Sequence, residues 1–309
     1  MFYKHIENKD PLLLSTDSIT FYQVAQGFLL DRQSQNISRN TIRVYRHELE
    51  WFQKYLDAAG VLYIHQVTGD VIRLYLVELE KSRNPGGINV AYRVIKTCTY
   101  WWEDETDDQY RSPVHKIKAP KVPRTAIQGV QPDQVKAMLA ACHTGMAVRD
   151  RAVIRCLFDT GVRKEEFCDL NVGDVDLMGG RVSVMGKGAR FRMVFLGVES
   201  RKALRSYLRT RGQLAQDSPL FASDEGDRFG ESGLRELLER RCRDAGIPIQ
   251  SPHDFRRGFA LECLRNGMDI YTLQHLMGHA DLTVLMRYLH QVEMDVSRAF
   301  NKWSPGDRL

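Results

Sequence analysis

Apolar residues return every three or four positions through most of the first hundred residues. Ile42, Tyr45, Leu49, Phe52 and Leu56 share one helical face, with Ser38 as N-cap and Gly60 as the C-terminal stop. Thr68 opens a second stripe formed by Val71, Tyr75 and Leu79. After the breaker Asn84-Pro85-Gly86-Gly87 comes a third: Ile88, Tyr92, Ile95, Cys98 and Trp102. An earlier stripe of Phe21, Val24, Phe28 and Leu29 completes a four-helix unit.

The pattern then breaks. Residues 103–108 are almost all acidic, and 111–124 hold Arg111, Lys116, Lys118, Lys121 and Arg124 with three prolines and no acid. Proline disfavours helix and favours an extended chain, so a linker is expected over 111–130. Its cations suit either a solvated connector or a segment lying along a phosphate backbone. The second part, 131–309, is mixed. Val135, Met138, Leu139 and Cys142 predict a helix, and Ala152–Asp159 another, stopped by Gly161. Between Arg181 and Leu196 the period becomes two: Val182 and Val184 alternate, Gly186-Lys187-Gly188 turns, then Phe191, Met193 and Phe195 alternate. That is a hairpin with Lys187 at its tip. Helical patterns return after Glu199. Near the end, Val292, Val296, Ala299, Phe300 and Trp303 make one more helical face.

Composition narrows the class. The 309 residues are 43% hydrophobic and 27% charged, as in an ordinary globular chain. No apolar run approaches the roughly 18 residues of a membrane span. The first residues do not make a signal peptide, because Pro11 precedes only a short apolar patch. Six cysteines without a CxxC pair argue against a disulfide scaffold and against zinc, so reduced thiols and a cytoplasmic location are expected. The net charge of +5 is compatible with nucleic acid without arguing for it. No phosphate-cradling GxxxxGK[ST] loop, HExxH helix or GxSxG elbow occurs.

Four segments carry candidate chemistry: Thr160–Phe167 with Arg163 and Glu166, the Lys187 hairpin, His253–Arg257 with Arg256, and Leu276–His279 followed by Tyr288. Each alone reads as a turn, a cap or half-buried packing. Together they supply what phosphoryl transfer without a metal requires. Arginine forks hold the non-bridging oxygens of a transition state that gains negative charge. A deprotonated tyrosine is an oxygen nucleophile, and lysine or histidine can protonate the leaving oxygen.

In order and spacing, this set resembles the tyrosine recombinase (phage integrase) family over nearly the whole chain. The TGxRxxE motif stands as Thr160, Gly161, Arg163 and Glu166; the hairpin lysine is Lys187; the HxLRH box reads His253, Phe255, Arg256 and Arg257. Met277-Gly278-His279 stands where Leu-Gly-His is usual, and Tyr288 follows His279 by nine residues, the family spacing. Arg257 replaces a common histidine, and Leu285 stands where threonine is frequent. All six catalytic positions hold competent residues.

The resemblance implies a mainly α fold: a helical SAM-like core-binding domain (17–110), the basic linker (111–130), and a mostly α catalytic domain with a small antiparallel sheet (131–309). It implies that Tyr288 attacks the scissile phosphate and joins the DNA 3′ end. Arg163 and Arg256 would bind the phosphate oxygens, Lys187 protonate the 5′ oxygen, His253 assist proton transfer and His279 hydrogen-bond the phosphate. Glu166 would support them from behind. No metal or other cofactor is expected. The partners implied are duplex DNA with inverted half-sites, contacted also by Lys116, Lys118, Lys121 and Arg124, and further copies of the chain as dimer and tetramer, with room for accessory proteins and no membrane. The terminal helical face packs on its own domain or passes to a neighbouring protomer. A mobile-element integrase is the leading role. A chromosome or plasmid dimer resolvase of Xer type is the alternative, and a type IB topoisomerase or a non-catalytic DNA-binding regulator stands for other classes.

Overall fold

The computed structural model describes residues 18–107, 109–123, 128–143, 146–186, 190–278 and 304–308. The chain divides into two units, residues 1–125 and 126–309.

The first unit is built from α1 (Phe21–Ser34), α2 (Arg39–Ala58), α3 (Gly69–Leu79) and α4 (Pro85–Glu105). Each begins where a short polar side chain accepts the N3 amide: Thr20, Ser38, Thr68 and Asn84. This satisfies one of the donors that a helix start leaves unpaired. Helix α2 ends before Gly60, whose φ of +70° is easily reached only without a Cβ. The predicted stripes face a common core of Phe21, Phe28, Leu49, Phe52, Tyr75, Leu79, Ile95 and Trp102, to which Ile72 adds while Val71 is only partly buried. Within it, Glu48 is buried against Arg83 at 2.5 Å, so its charge is paired.

The basic segment differs from a plain extended connector at its start. Pro113–Lys116 form a 3-10 turn, and Ser112, Val114 and Ile117 are buried in the first unit. Three side chains hold its carbonyls: Arg73 donates to Lys116 O (3.2 Å), Tyr92 to Ile117 O (2.9 Å) and Asn89 to Pro120 O (3.0 Å). Lys116, Lys118 and Lys121 are exposed. Val130 already belongs to the core of the second unit.

That unit contains α5 (Pro132–Ala140), α6 (Ala147–Thr160), α7 (Lys164–Asp169), β1 (Val175–Asp176), β2 (Arg181–Gly186), β3 (Arg190–Phe195), α8 (Val198–Thr210), α9 (Glu231–Asp244), α10 (Pro252–Arg265) and α11 (Ile270–Met277). Its antiparallel sheet has the order β1-β2-β3, with Val182 opposite Val194 and Gly186 opposite Arg190. The hairpin is the one expected, but β3 faces the other way from its apolar alternation. Phe191 and Phe195 are 69% and 53% exposed, whereas Arg192 lies opposite the buried Val184. Register decides this: Val182 and Val184 face the core, so their partners Val194 and Arg192 must as well.

Helix α6 is the spine of the unit and packs on α8 and α10. At its start, the fully buried Asp150 accepts from Arg149 (3.2 Å), Arg241 (2.9 Å) and Arg240 (3.4 Å). Arg241 also donates to Ala141 O and Asp244, so α5, α6 and α9 meet in one ionic cluster.

Candidate active site

Helix α6 ends at Thr160, whose hydroxyl donates to Cys156 O at 2.7 Å. Gly161 turns the chain with φ +57°, and a Cβ there would run into the Phe259 ring of α10. The turn delivers Arg163 to the N-cap of α7, where Glu166 accepts from its backbone amide and from Nη1, both at 2.8 Å.

Arg256, on α10, is 4% exposed. It donates through Nη1 to Gly161 O and through Nη2 to Met277 O, each at 2.6 Å. The first bond fixes the turn before Arg163. The second reaches the C-terminus of α11, where three consecutive carbonyls each accept from a different arginine. Leu276 O takes Arg192 Nε (2.9 Å), Met277 O takes Arg256 Nη2 (2.6 Å) and Gly278 O takes Arg163 Nη2 (3.2 Å). Helix-end carbonyls lack intrahelical donors and carry partial negative charge, so they attract and orient cations. Gly278 ends the helix with φ +60°.

Arg192 was not singled out from the sequence. Its Nη1 and Nη2 bind the two oxygens of Glu166 at 2.8 and 2.6 Å. Glu166 is thus held at about 2: burial alone would raise it, but hydrogen bonds from Arg192 and Arg163, and the Arg192 charge, outweigh burial. The available signal was the pairing of two alternating strands, which puts Arg192 on the valine face.

His253 lies in the first turn of α10, after the Ser251 cap, and is exposed. Partial burial, then the charges of Arg257 and Arg256, push its imidazole below the usual histidine range and favour the neutral form. Arg257 Nη1 lies 3.4 Å from Asp254 Oδ1. Of the expected residues, Arg163, Glu166 and Arg256 therefore come together around Gly161 and the α11 terminus, with His253 on the helix that carries Arg256. Lys187, His279, Tyr288, Arg124 and the apolar tail positions lie outside the described residues. Lys116, Lys118 and Lys121 belong to the first unit. Among the described residues, no group of three or more His, Cys, Asp or Glu could hold a metal ion. None of their helices is long and apolar enough to cross a membrane.

A cluster of arginines around a TGxRxxE turn and an HxxR helix is the arrangement that the resemblance to tyrosine recombinases implies. Residues 128–294 match the phage integrase family, and residues 27–86 match its N-terminal SAM-like domain. The chain belongs to the phage integrase family, and its activity is site-specific cleavage and rejoining of DNA by a tyrosine recombinase. It is 32% identical to tyrosine recombinase XerC of Roseiflexus castenholzii over 83% of this chain and 84% of that protein. It is 29% identical to XerD of Neisseria meningitidis serogroup B, over 84% and 89%. Two solved structures share the fold at low identity. One is XerH bound to a palindromic difH substrate (TM-score 0.72, 17% identity, 92% of this chain and 84% of that one). The other is a lambda integrase dimer bound to a COC′ core site (TM-score 0.74, 15% identity, 93% and 82%).

Proposed function

We propose that Tyr288 is the nucleophile and that Arg163 and Arg256 bind the non-bridging oxygens of the scissile phosphate. The observation that carries this is the α11 terminus. Its carbonyls gather both arginines immediately before His279, and Tyr288 follows nine residues later. The two guanidiniums neutralise charge as the phosphate becomes pentavalent. Tyr288 forms a 3′-phosphotyrosyl bond as the 5′ oxygen leaves with a proton from Lys187. His253, kept neutral, accepts the tyrosine proton, and His279 donates to the phosphate. Bond energy is conserved in the phosphotyrosyl ester, so rejoining needs no ATP.

The proposed partner is duplex DNA with inverted half-sites, bound by protomers that pair into a tetramer and exchange strands two at a time. Both units contribute: the first through its helices and Lys116, Lys118, Lys121 and Arg124, the second through the site. The SAM-like match over 27–86 and the integrase match over 128–294 support a division into a DNA-binding domain (17–110), a linker (111–130) and a catalytic domain (131–309).

The proposed role is integration or excision of a mobile element. Relatives named XerC and XerD, covered over most of their length, favour dimer resolution as a second reading. One experiment tests the chemistry. A duplex enriched from a random pool by the wild-type chain is placed on a supercoiled plasmid. Wild type should form a covalent adduct and recombinant circles, while Tyr288→Phe binds equally and forms none. Relaxation without recombinants would indicate a topoisomerase, and binding without adduct a regulator. The enriched sequence, located beside element ends or at a single chromosomal site, separates the two roles.

A further inference from the structure

We infer that Arg192 is a positioning residue for strand cleavage: it fixes both groups that orient Arg163 on the scissile phosphate. The inference rests on the proposed phosphate role of Arg163.

Arg192 stands on the inward face of β3, with a side chain 8% exposed. A charge there is costly unless it is paired and hydrogen-bonded. Every nitrogen of its guanidinium is engaged: Nε on Leu276 O, Nη1 and Nη2 on Glu166. Glu166 in turn accepts four bonds, two from Arg192 and two from Arg163, which fills the roughly four acceptor positions of a carboxylate.

This arrangement has a consequence for charge. Were Arg192 absent, the whole negative charge of Glu166 would fall on Arg163 and hold its guanidinium in an ion pair. With Arg192 present, that charge is shared between two cations, and Arg163 keeps positive charge to offer to phosphate. The second group is Gly278 O, which takes Arg163 Nη2. Arg192 ties down the carbonyl two residues earlier and packs on Gly278 itself, where an added Cβ would lie 3.0 Å from Arg192 Cδ. Arg163 is therefore oriented by a carboxylate and a carbonyl that are both set by Arg192. Lysine cannot replace it, since a single ammonium lacks the planar fork that spans Glu166 and Leu276 O.

The test uses the full-length chain and the enriched duplex, with its cleavage position mapped. The scissile group is either an ordinary phosphodiester or a methylphosphonate, in which one charged oxygen is replaced by methyl. Arg192→Lys should bind the duplex within roughly threefold of wild type, a small change on the affinity scale. It should form adduct on the phosphodiester roughly 10²-fold more slowly, the scale of losing one oxyanion donor. On the methylphosphonate, which needs less positive charge, the deficit should shrink to about tenfold or less. Added to Arg163→Ala, Arg192→Lys should cost nothing further, because both remove one function.

A near-wild-type rate, an equal deficit on both substrates or full additivity with Arg163→Ala would each overturn the inference. If Arg192→Lys fails to fold by thermal unfolding, Arg192→Gln, which leaves the Glu166 charge in place, is judged by the same outcomes. Absence of any adduct from the wild-type chain on the phosphodiester would overturn the proposed role of Tyr288, and this inference with it.

Discussion

Gly161 and Phe259 approach so closely that a methyl group on the glycine would overlap the aromatic ring. The glycine also holds φ +57°, and its carbonyl accepts from Arg256. Gly161→Ala should therefore combine backbone strain with overpacking and lower stability by roughly 2–4 kcal/mol. Thermal unfolding of the variant measures it. Truncating the ring as well, in Gly161→Ala with Phe259→Ala, should relieve the clash but not the strain.

Loss of either arginine proposed to bind the phosphate should act on rate. Arg163→Ala or Arg256→Ala should slow adduct formation roughly 10²–10³-fold, and Lys should not rescue either, since it lacks the fork. Arg256→Ala should also lower stability, because Gly161 O and Met277 O lose their donor. Single-turnover cleavage and melting temperature separate the two effects.

Glu166 predicts an acid limb in the stability profile. Its folded value of about 2 lies below the ordinary 4.5, so the stabilisation is complete above pH 4.5 and fades as pH falls towards 2. A shift of this size corresponds to roughly 3 kcal/mol. Glu166→Gln should remove that part of the pH dependence in urea titrations. An unchanged profile would place the acid sensitivity elsewhere.

Asp150 is fully buried among Arg149, Arg240 and Arg241. Asp150→Asn removes the buried charge these guanidiniums share, although Arg149 keeps Asp224 and Arg241 keeps Asp244, and should cost roughly 3–5 kcal/mol. Arg240→Gln, at the exposed edge of the cluster, should cost under about 1 kcal/mol. Equal losses in the two variants would mean that the buried pairs are not what holds α5, α6 and α9 together.

Lys116, Lys118 and Lys121 project from a segment whose carbonyls are anchored by Arg73, Asn89 and Tyr92. If they contact phosphates, replacing all three with Gln should weaken binding to every duplex alike. The slope of log K against log salt should fall by roughly 0.9 per contact. An unchanged slope would leave the segment as a solvated connector.

Much of the fold was legible because it is written in local periodicity. Ser38 and Thr68, read as caps in the sequence, do cap α2 and α3, and the stripe through Leu49, Phe52 and Leu56 faces the core it predicts. The Arg163, Glu166 and Arg256 positions were legible because their motifs have fixed spacing. The alternation Phe191, Met193, Phe195 marked the strand but not its buried face, since hydrophobicity along one strand cannot say which face is buried; the register with Val182 and Val184 does. The buried turn at Pro113–Lys116 was equally hidden, because prolines and lysines conceal the two apolar residues, Val114 and Ile117, that pin it.

The sequence by itself determined the reaction class, through motifs whose residues, order and spacing resemble those of the tyrosine recombinases. It also determined some helix limits, such as the Ser38 start of α2 and the Gly161 stop of α6, because capping and 3.6-residue periodicity act over a few neighbours. Only the tertiary structure decided how the site is held. The bonds of Arg192 to Glu166 and Leu276, and of Arg256 to Gly161 and Met277, join residues 21 to 95 positions apart. Such contacts form when a sheet register and a helix terminus bring distant backbone groups within 3 Å, and no local pattern in the chain encodes that distance.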